Sequence, residues 1–124
     1  MLTVIRRTIV TTVAAAALAT PAAADAAAGG SQTPSGNIVC TYRTGFTAEI
    51  ACDVRSAGVL YFMERRGYPE VYDRTRHLRA YRTLGYGRTI RTGAFTCRSR
   101  SAGLRCTNRG GRGFFLSQER RYRF

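Results

Sequence analysis

The chain has 124 residues, with 20 basic side chains against 7 acidic ones and a formal charge of +13. All the basic residues are arginine, and there is one histidine and no tryptophan. That length and balance exclude a multidomain enzyme and a strongly basic partner, and they leave one small core that benefits from covalent staples.

The chain opens MLTVIRRTIVTTVAAAALATPAAADAAAGG. Arg6 and Arg7 precede an uncharged apolar stretch from Thr8 to Ala19, and small residues with Ala-x-Ala patterns follow at Ala22-Ala23-Ala24 and Ala24-Asp25-Ala26. This is the pattern of a secretory signal peptide, here assigned to residues 1–26. The apolar run is shorter than the ~20 residues that span a bilayer, so no transmembrane helix is expected in the mature protein. Export predicts a secreted protein, periplasmic or extracellular. Removing Arg6, Arg7 and Asp25 takes the charge from +13 to +12. Residues 27–32, rich in Ala and Gly, read as a flexible lead-in, and 33–124 as a single secreted β domain.

Cys40 and Cys52 lie in NIVCTYRTGFTAEIACDV, two alternating runs joined by a Gly-containing turn. That is a β-hairpin pattern. Side chains alternate faces along a strand, so Ile38, Cys40 and Tyr42 share one face and Ile50, Cys52 and Val54 the matching one. Thr41, Arg43, Glu49, Ala51 and Asp53 take the opposite face. With Cys40 opposite Cys52, Tyr42 meets Ile50 and Arg43 meets Glu49, both favourable cross-strand pairs.

The middle follows. Residues 58–63 (GVLYFM) read as a buried strand, and Arg66-Gly67-Tyr68-Pro69 as a turn. Val71-Tyr72, then Arg76 to Leu84, supply one or two further strands. Gly85-Tyr86-Gly87 turns the chain again. No stretch sustains a helical period.

The second cysteine pair lies in GAFTCRSRSAGLRC. Phe95, Cys97, Leu104 and Cys106 share the inward face; Thr96, Arg98, Arg105, Thr107 and Arg109 face outward. A Cys97–Cys106 bridge sets Thr96 opposite Thr107 and Arg98 opposite Arg105. The first pairing is favourable and the second is not. Four cysteines formally allow three connectivities; the spacings favour the two local ones, each stabilising by roughly 3 kcal/mol. The gaps lack the close ligand doublets of a zinc site, and a catalytic thiol would need a base where the chain offers only His77. Residues 113–117 (GFFLS) read as a last strand. The sum is about seven short strands, an all-β fold: a small antiparallel β-sandwich or partly open barrel with two disulfide-stapled hairpins.

The order of TPSGNIVC (33–40), LGYG (84–87), TGAFTCRS (92–99) and GLRCTNRGGRGFFLS (103–117) resembles a family of small secreted bacterial proteins of unknown function. The resemblance frames 33–124, with 55–83 poorly matched. It implies export, disulfides and a compact β fold, and supplies no activity. Relatives often carry a further cysteine pair and a tryptophan in the middle, and a histidine in the last block. This chain has neither of the former, and Arg112 stands in the histidine's place.

Arginine's planar fork suits phosphate and carboxylate oxygens. Arg98, Arg100, Arg105, Arg109 and Arg112 are therefore the candidate anion-binding residues. The expected partner is an anionic polymer, a lipid headgroup or an acidic protein. The run from Asn108 to Gly113 (NRGGRG) mimics an Arg-Gly-Gly element and reads as a turn. Tyr61, Tyr68, Tyr72, Tyr81 and Tyr86 could stack on bases, but read better as core-edge residues. His77 with Glu64, Glu70 or Asp73 could in principle form a small nuclease site, and the Gly45-Phe46-Thr47 loop could present an inhibitor's tip to an exported acidic hydrolase. Nothing in the spacing assembles a catalytic set. The expectation is a monomeric non-enzymatic binding domain with no cofactor, no metal and no dedicated small-molecule ligand.

Overall fold

The computed structural model describes residues 28–124, together with the separate positions 3, 4, 9, 11 and 12. The signal-peptide reading falls, apart from those positions, outside the described residues. Among the described residues no helix is long and apolar enough to cross a membrane.

Two five-stranded antiparallel meanders make up the fold. The first sheet contains β1 (Ala28–Gln32), β2 (Ile38–Arg43), β3 (Glu49–Val54), β4 (Val59–Glu64) and β5 (Glu70–Tyr72) in chain order. The second contains β6 (Thr89–Thr92), β7 (Phe95–Arg100), β8 (Gly103–Thr107), β9 (Gly113–Leu116) and β10 (Arg121–Arg123). The all-β class and both stapled hairpins are as the sequence predicts. Cys40 pairs with Cys52, Tyr42 with Ile50 and Arg43 with Glu49. Cys97 pairs with Cys106, Thr96 with Thr107 and Arg98 with Arg105. Each cysteine is bonded to the one directly across the ladder. Two cystines point to an oxidising, extracytoplasmic compartment.

The inward faces of the sheets share one core. Ile38, Ile50, Val54 and Met63 come from the first sheet, and Phe95, Leu104, Phe114 and Leu116 from the second. Tyr61 meets Phe114 with ring centroids 5.6 Å apart. Both cystines lie in this cluster. Ser99 is also buried, and among the described residues its hydroxyl has no hydrogen-bond partner.

Three segments differ from the sequence reading. Residues 28–32, taken as part of a flexible lead-in, form edge strand β1 paired along its length with β2. Their glycines permit close approach rather than mobility: a Cβ on Gly29 would lie 2.6 Å from the Tyr42 ring, and one on Gly30 2.9 Å from the Cys40 carbonyl. The stretch from Arg76 to Leu84 forms no strand beyond a single parallel bridge between Thr83 and Gln32. It continues a strap, residues 73–82, tied to the outer face of the first sheet. The Arg76 and Leu78 amides donate to the two Asp53 carboxylate oxygens at 2.9 and 2.7 Å. Asp53 and Ala51 thus lie on the face opposite the core, as expected, yet are buried there along with Val39 and Leu60. Finally, β6 and β10, together with β1, raise the strand number from about seven to ten among the described residues. Neither β6 nor β10 carries a long apolar alternation, and pairing with β7 and β9 is what defines them.

Replacing Asp53 by Ala should free the strap and lower stability in urea unfolding by about 3 kcal/mol, with new proteolytic cleavage within 73–82. Ser99→Ala should be neutral or stabilising by about 1 kcal/mol in the same assay, because it removes an unpaired buried hydroxyl.

Candidate functional site

Strand alternation in the second sheet sends one set of side chains into the core and the other to solvent. The outward set includes Arg91 on β6, Arg98 and Arg100 on β7, Arg105 on β8, Phe115 on β9 and Tyr122 on β10. None of these five strands contains an acid. Charge is divided unequally between the two halves of the domain. Residues 84–124 hold ten arginines against the single acid Glu119, whereas 28–83 hold eight against five acids.

Arg98 and Arg105 face each other across the ladder, an unfavourable pairing on charge alone. Their heads part. Arg98 Nε donates to Thr89 Oγ1 at 3.4 Å, toward β6. Arg105 turns the other way and places its guanidinium 4.1 Å from the Phe124 ring centroid. Phe115 and Tyr122 stack at 5.3 Å with an interplanar angle of 20°, and Tyr122 is 6.2 Å from Phe124. The guanidinium of Arg120 lies 5.5 Å over the Tyr122 ring. The face is thus arginine beside aromatic ring, with no carboxylate on its strands.

Of the five arginines singled out in the sequence, Arg98, Arg100 and Arg105 lie on this sheet. Arg109 and Arg112 do not. They sit past the end of β8, in a turn organised by the buried Asn108. Its amide nitrogen donates to the carbonyls of Glu64 (3.1 Å) and Gly67 (3.0 Å), and its oxygen accepts from the amides of Gly110 and Arg112. The Arg109 amide donates to the Arg65 carbonyl at 3.0 Å. The Arg-Gly-Gly run is a turn, as read, and one that fastens the second sheet to the first. Arg91, Phe115, Tyr122 and Phe124 were not singled out. Phe115 lies on β9, which the sequence does show as a strand; the membership of Arg91, Tyr122 and Phe124 depends on β6 and β10, which have no strong pattern of their own.

Beyond the edges of β1 and β6 lies a groove of about 870 Å³ whose walls include Tyr42, Arg79, Tyr81, Arg82 and Arg91. Through Arg91 it adjoins the arginine face. The tyrosines depart from the core-edge reading. Tyr61 is buried, but Tyr68, Tyr81 and Tyr86 are exposed, Tyr81 almost completely (99%). The Tyr72 hydroxyl donates to the Glu70 carboxylate, which holds the phenol above its ordinary pKa. His77 is exposed in the strap with φ 52°, and among the described residues no hydrogen bond or ion pair joins it to Glu64, Glu70 or Asp73. No group of three or more His, Cys, Asp or Glu side chains is placed to hold a metal ion among the described residues.

Residues 47–124 match a family of unknown function, DUF6636, and the chain belongs to it. The match starts inside the first hairpin, so the resemblance read over 33–124 reaches further toward the N-terminus. No curated protein and no solved structure matches the chain.

Asn108→Ala removes four hydrogen bonds at the junction of the sheets and strands two carbonyls. The expected loss is about 3 kcal/mol in urea unfolding, and amide exchange should accelerate first in 64–67 and 108–112.

Proposed function

We propose that this DUF6636 member is a non-catalytic binding domain that takes an anionic polymer onto the outer face of its second sheet. The observation that carries the reading is Arg91, Arg98, Arg100 and Arg105 on one exposed sheet face whose five strands hold no acid. A polyanion laid across that face releases its condensed counterions, and each guanidinium gains a charge-assisted contact. The present partners of Arg98 and Arg105 are weak ones, a hydroxyl at 3.4 Å and an aromatic ring. An anionic oxygen can replace either without leaving a buried group unsatisfied. The backbone under the face is a cystine-stapled ladder, so little ordering cost accompanies binding. The +12 charge of the residues after 26 supplies the long-range attraction that brings such a polymer in. In an exported protein the polymer belongs to the envelope or to the medium outside it.

The test is retention on a polyanion over a range of salt concentrations. A variant with Arg98, Arg100 and Arg105 changed to Ser should lose about 0.7–0.9 in log–log salt slope for each phosphate contact removed. A control with Arg55, Arg74 and Arg76 changed to Ser carries the same charge deficit on the first half of the domain and should keep most of the slope. Equal slopes for the two variants would mean that net charge alone drives binding, and the assignment to this face would fail.

A further inference from the structure

Meander topology brings the β2–β3, β4–β5 and β8–β9 turns to one end of the sandwich. Asn108 ties the last two together. The β6–β7 turn joins them, since a Cβ on Gly93 would lie 3.2 Å from Thr44. Phe46 stands at the tip of the first turn and is 89% exposed. The turn does not need it: Gly45 takes the positive φ, 94°. Nor does the core, whose cluster excludes it.

One cation lies over this ring and others stand in the neighbouring turns. The Arg65 guanidinium lies 5.5 Å from the Phe46 centroid, with Arg66 exposed beside it. A shallow hollow of about 450 Å³ separates the Phe46 turn from Arg65 and Arg66. Arg109 and Arg112 occupy the neighbouring turn. A second exposed ring at the same end, Tyr68, has Arg112 at 5.7 Å and Arg123 at 4.9 Å. The acids here are Glu49, engaged by Arg43 at 3.0 Å, Glu64, and Glu70, which accepts the Tyr72 hydroxyl. The turns at the opposite end, including 33–37, 55–58 and 101–102, are built mainly from Ser, Gly, Asn, Ala and Pro.

We propose that the Phe46 end docks on an anionic lipid surface. Phe46 enters the boundary between headgroups and acyl chains, and Arg65, Arg66, Arg109 and Arg112 take lipid phosphates. The shape of the patch favours this occupant over a protein. Two separate rings, Phe46 and the amphipathic Tyr68, are too little apolar surface for the buried centre of a protein interface. A projecting apolar ring with arginines beside it matches the depth profile of a membrane surface, apolar inside and anionic outside. The site is separate from the arginine face of the second sheet, so either can fail alone.

The chain contains no tryptophan, so Phe46→Trp places a single reporter at the tip. In the folded, oxidised protein its emission should shift to the blue on adding phosphatidylglycerol-containing vesicles, and stay unchanged with phosphatidylcholine vesicles or a soluble polyanion. Phe46→Ser, at an exposed position that leaves the core intact, should weaken co-sedimentation with the anionic vesicles roughly tenfold. It should leave salt-dependent retention on the polyanion unaltered. The variant with Arg98, Arg100 and Arg105 changed to Ser should lose polyanion slope and keep the fluorescence shift once Phe46→Trp is added to it. Vesicle binding indifferent to Phe46→Ser, no shift with anionic vesicles, or a shift produced only by an acidic protein would each overturn the proposal.

Discussion

Two covalent bonds between directly opposed residues set the register of this protein. Cys40 faces Cys52, and Cys97 faces Cys106. A slip of one residue in either hairpin would turn every side chain of a strand to the other face. The cystines forbid that slip. With them in place, Ile50 and Val54 must look inward with Cys52, and Leu104 with Cys106. The same constraint points Arg98 and Arg105 outward. In a chain this short, where one core supplies only a few kcal/mol, two crosslinks of roughly 3 kcal/mol each are a large part of the stability. Core and arginine face are two consequences of one parity rule.

The sheets are joined by fewer, more polar devices. Apolar packing such as Tyr61 on Phe114 brings them together. Asn108 then fixes one end by meeting four backbone groups. Asp53 does comparable work on the outside of the first sheet, where its carboxylate takes the place of a ladder partner for the strap amides. Both are buried polar residues whose hydrogen-bonding capacity is used by backbone. This satisfies amides and carbonyls that a small sandwich has no further strand to pair.

The charge division is what supports the proposed function. Five of the six acids in residues 28–124 belong to the first sheet and its strap, while the second sheet's strands have none. The repulsion this creates is dissipated locally. Arg98 leans on Thr89, Arg105 on Phe124, Arg123 on Tyr68 and the Pro69 carbonyl. Such contacts hold guanidinium groups in place without neutralising them. A surface built this way keeps its field available to an incoming anion, whether that is a polymer on the sheet or a lipid phosphate at the Phe46 end.

What the sequence determined by itself is the part governed by neighbours within about a dozen residues. Period-two alternation and Gly turns define the two hairpins, and cysteine placement then settles register down to the Arg43–Glu49 ion pair. Tertiary structure decided everything whose partner is distant along the chain. β1 looks like a linker until Tyr42 lies over Gly29. β10 has no pattern until β9 offers an edge. Asp53 is read as a solvent-facing charge until residues 76 and 78 reach it, and Asn108 as a turn residue until residues 64 and 67 do. In each case the decisive term is the satisfaction of backbone hydrogen-bonding groups from another segment, and no local periodicity encodes which segment that will be.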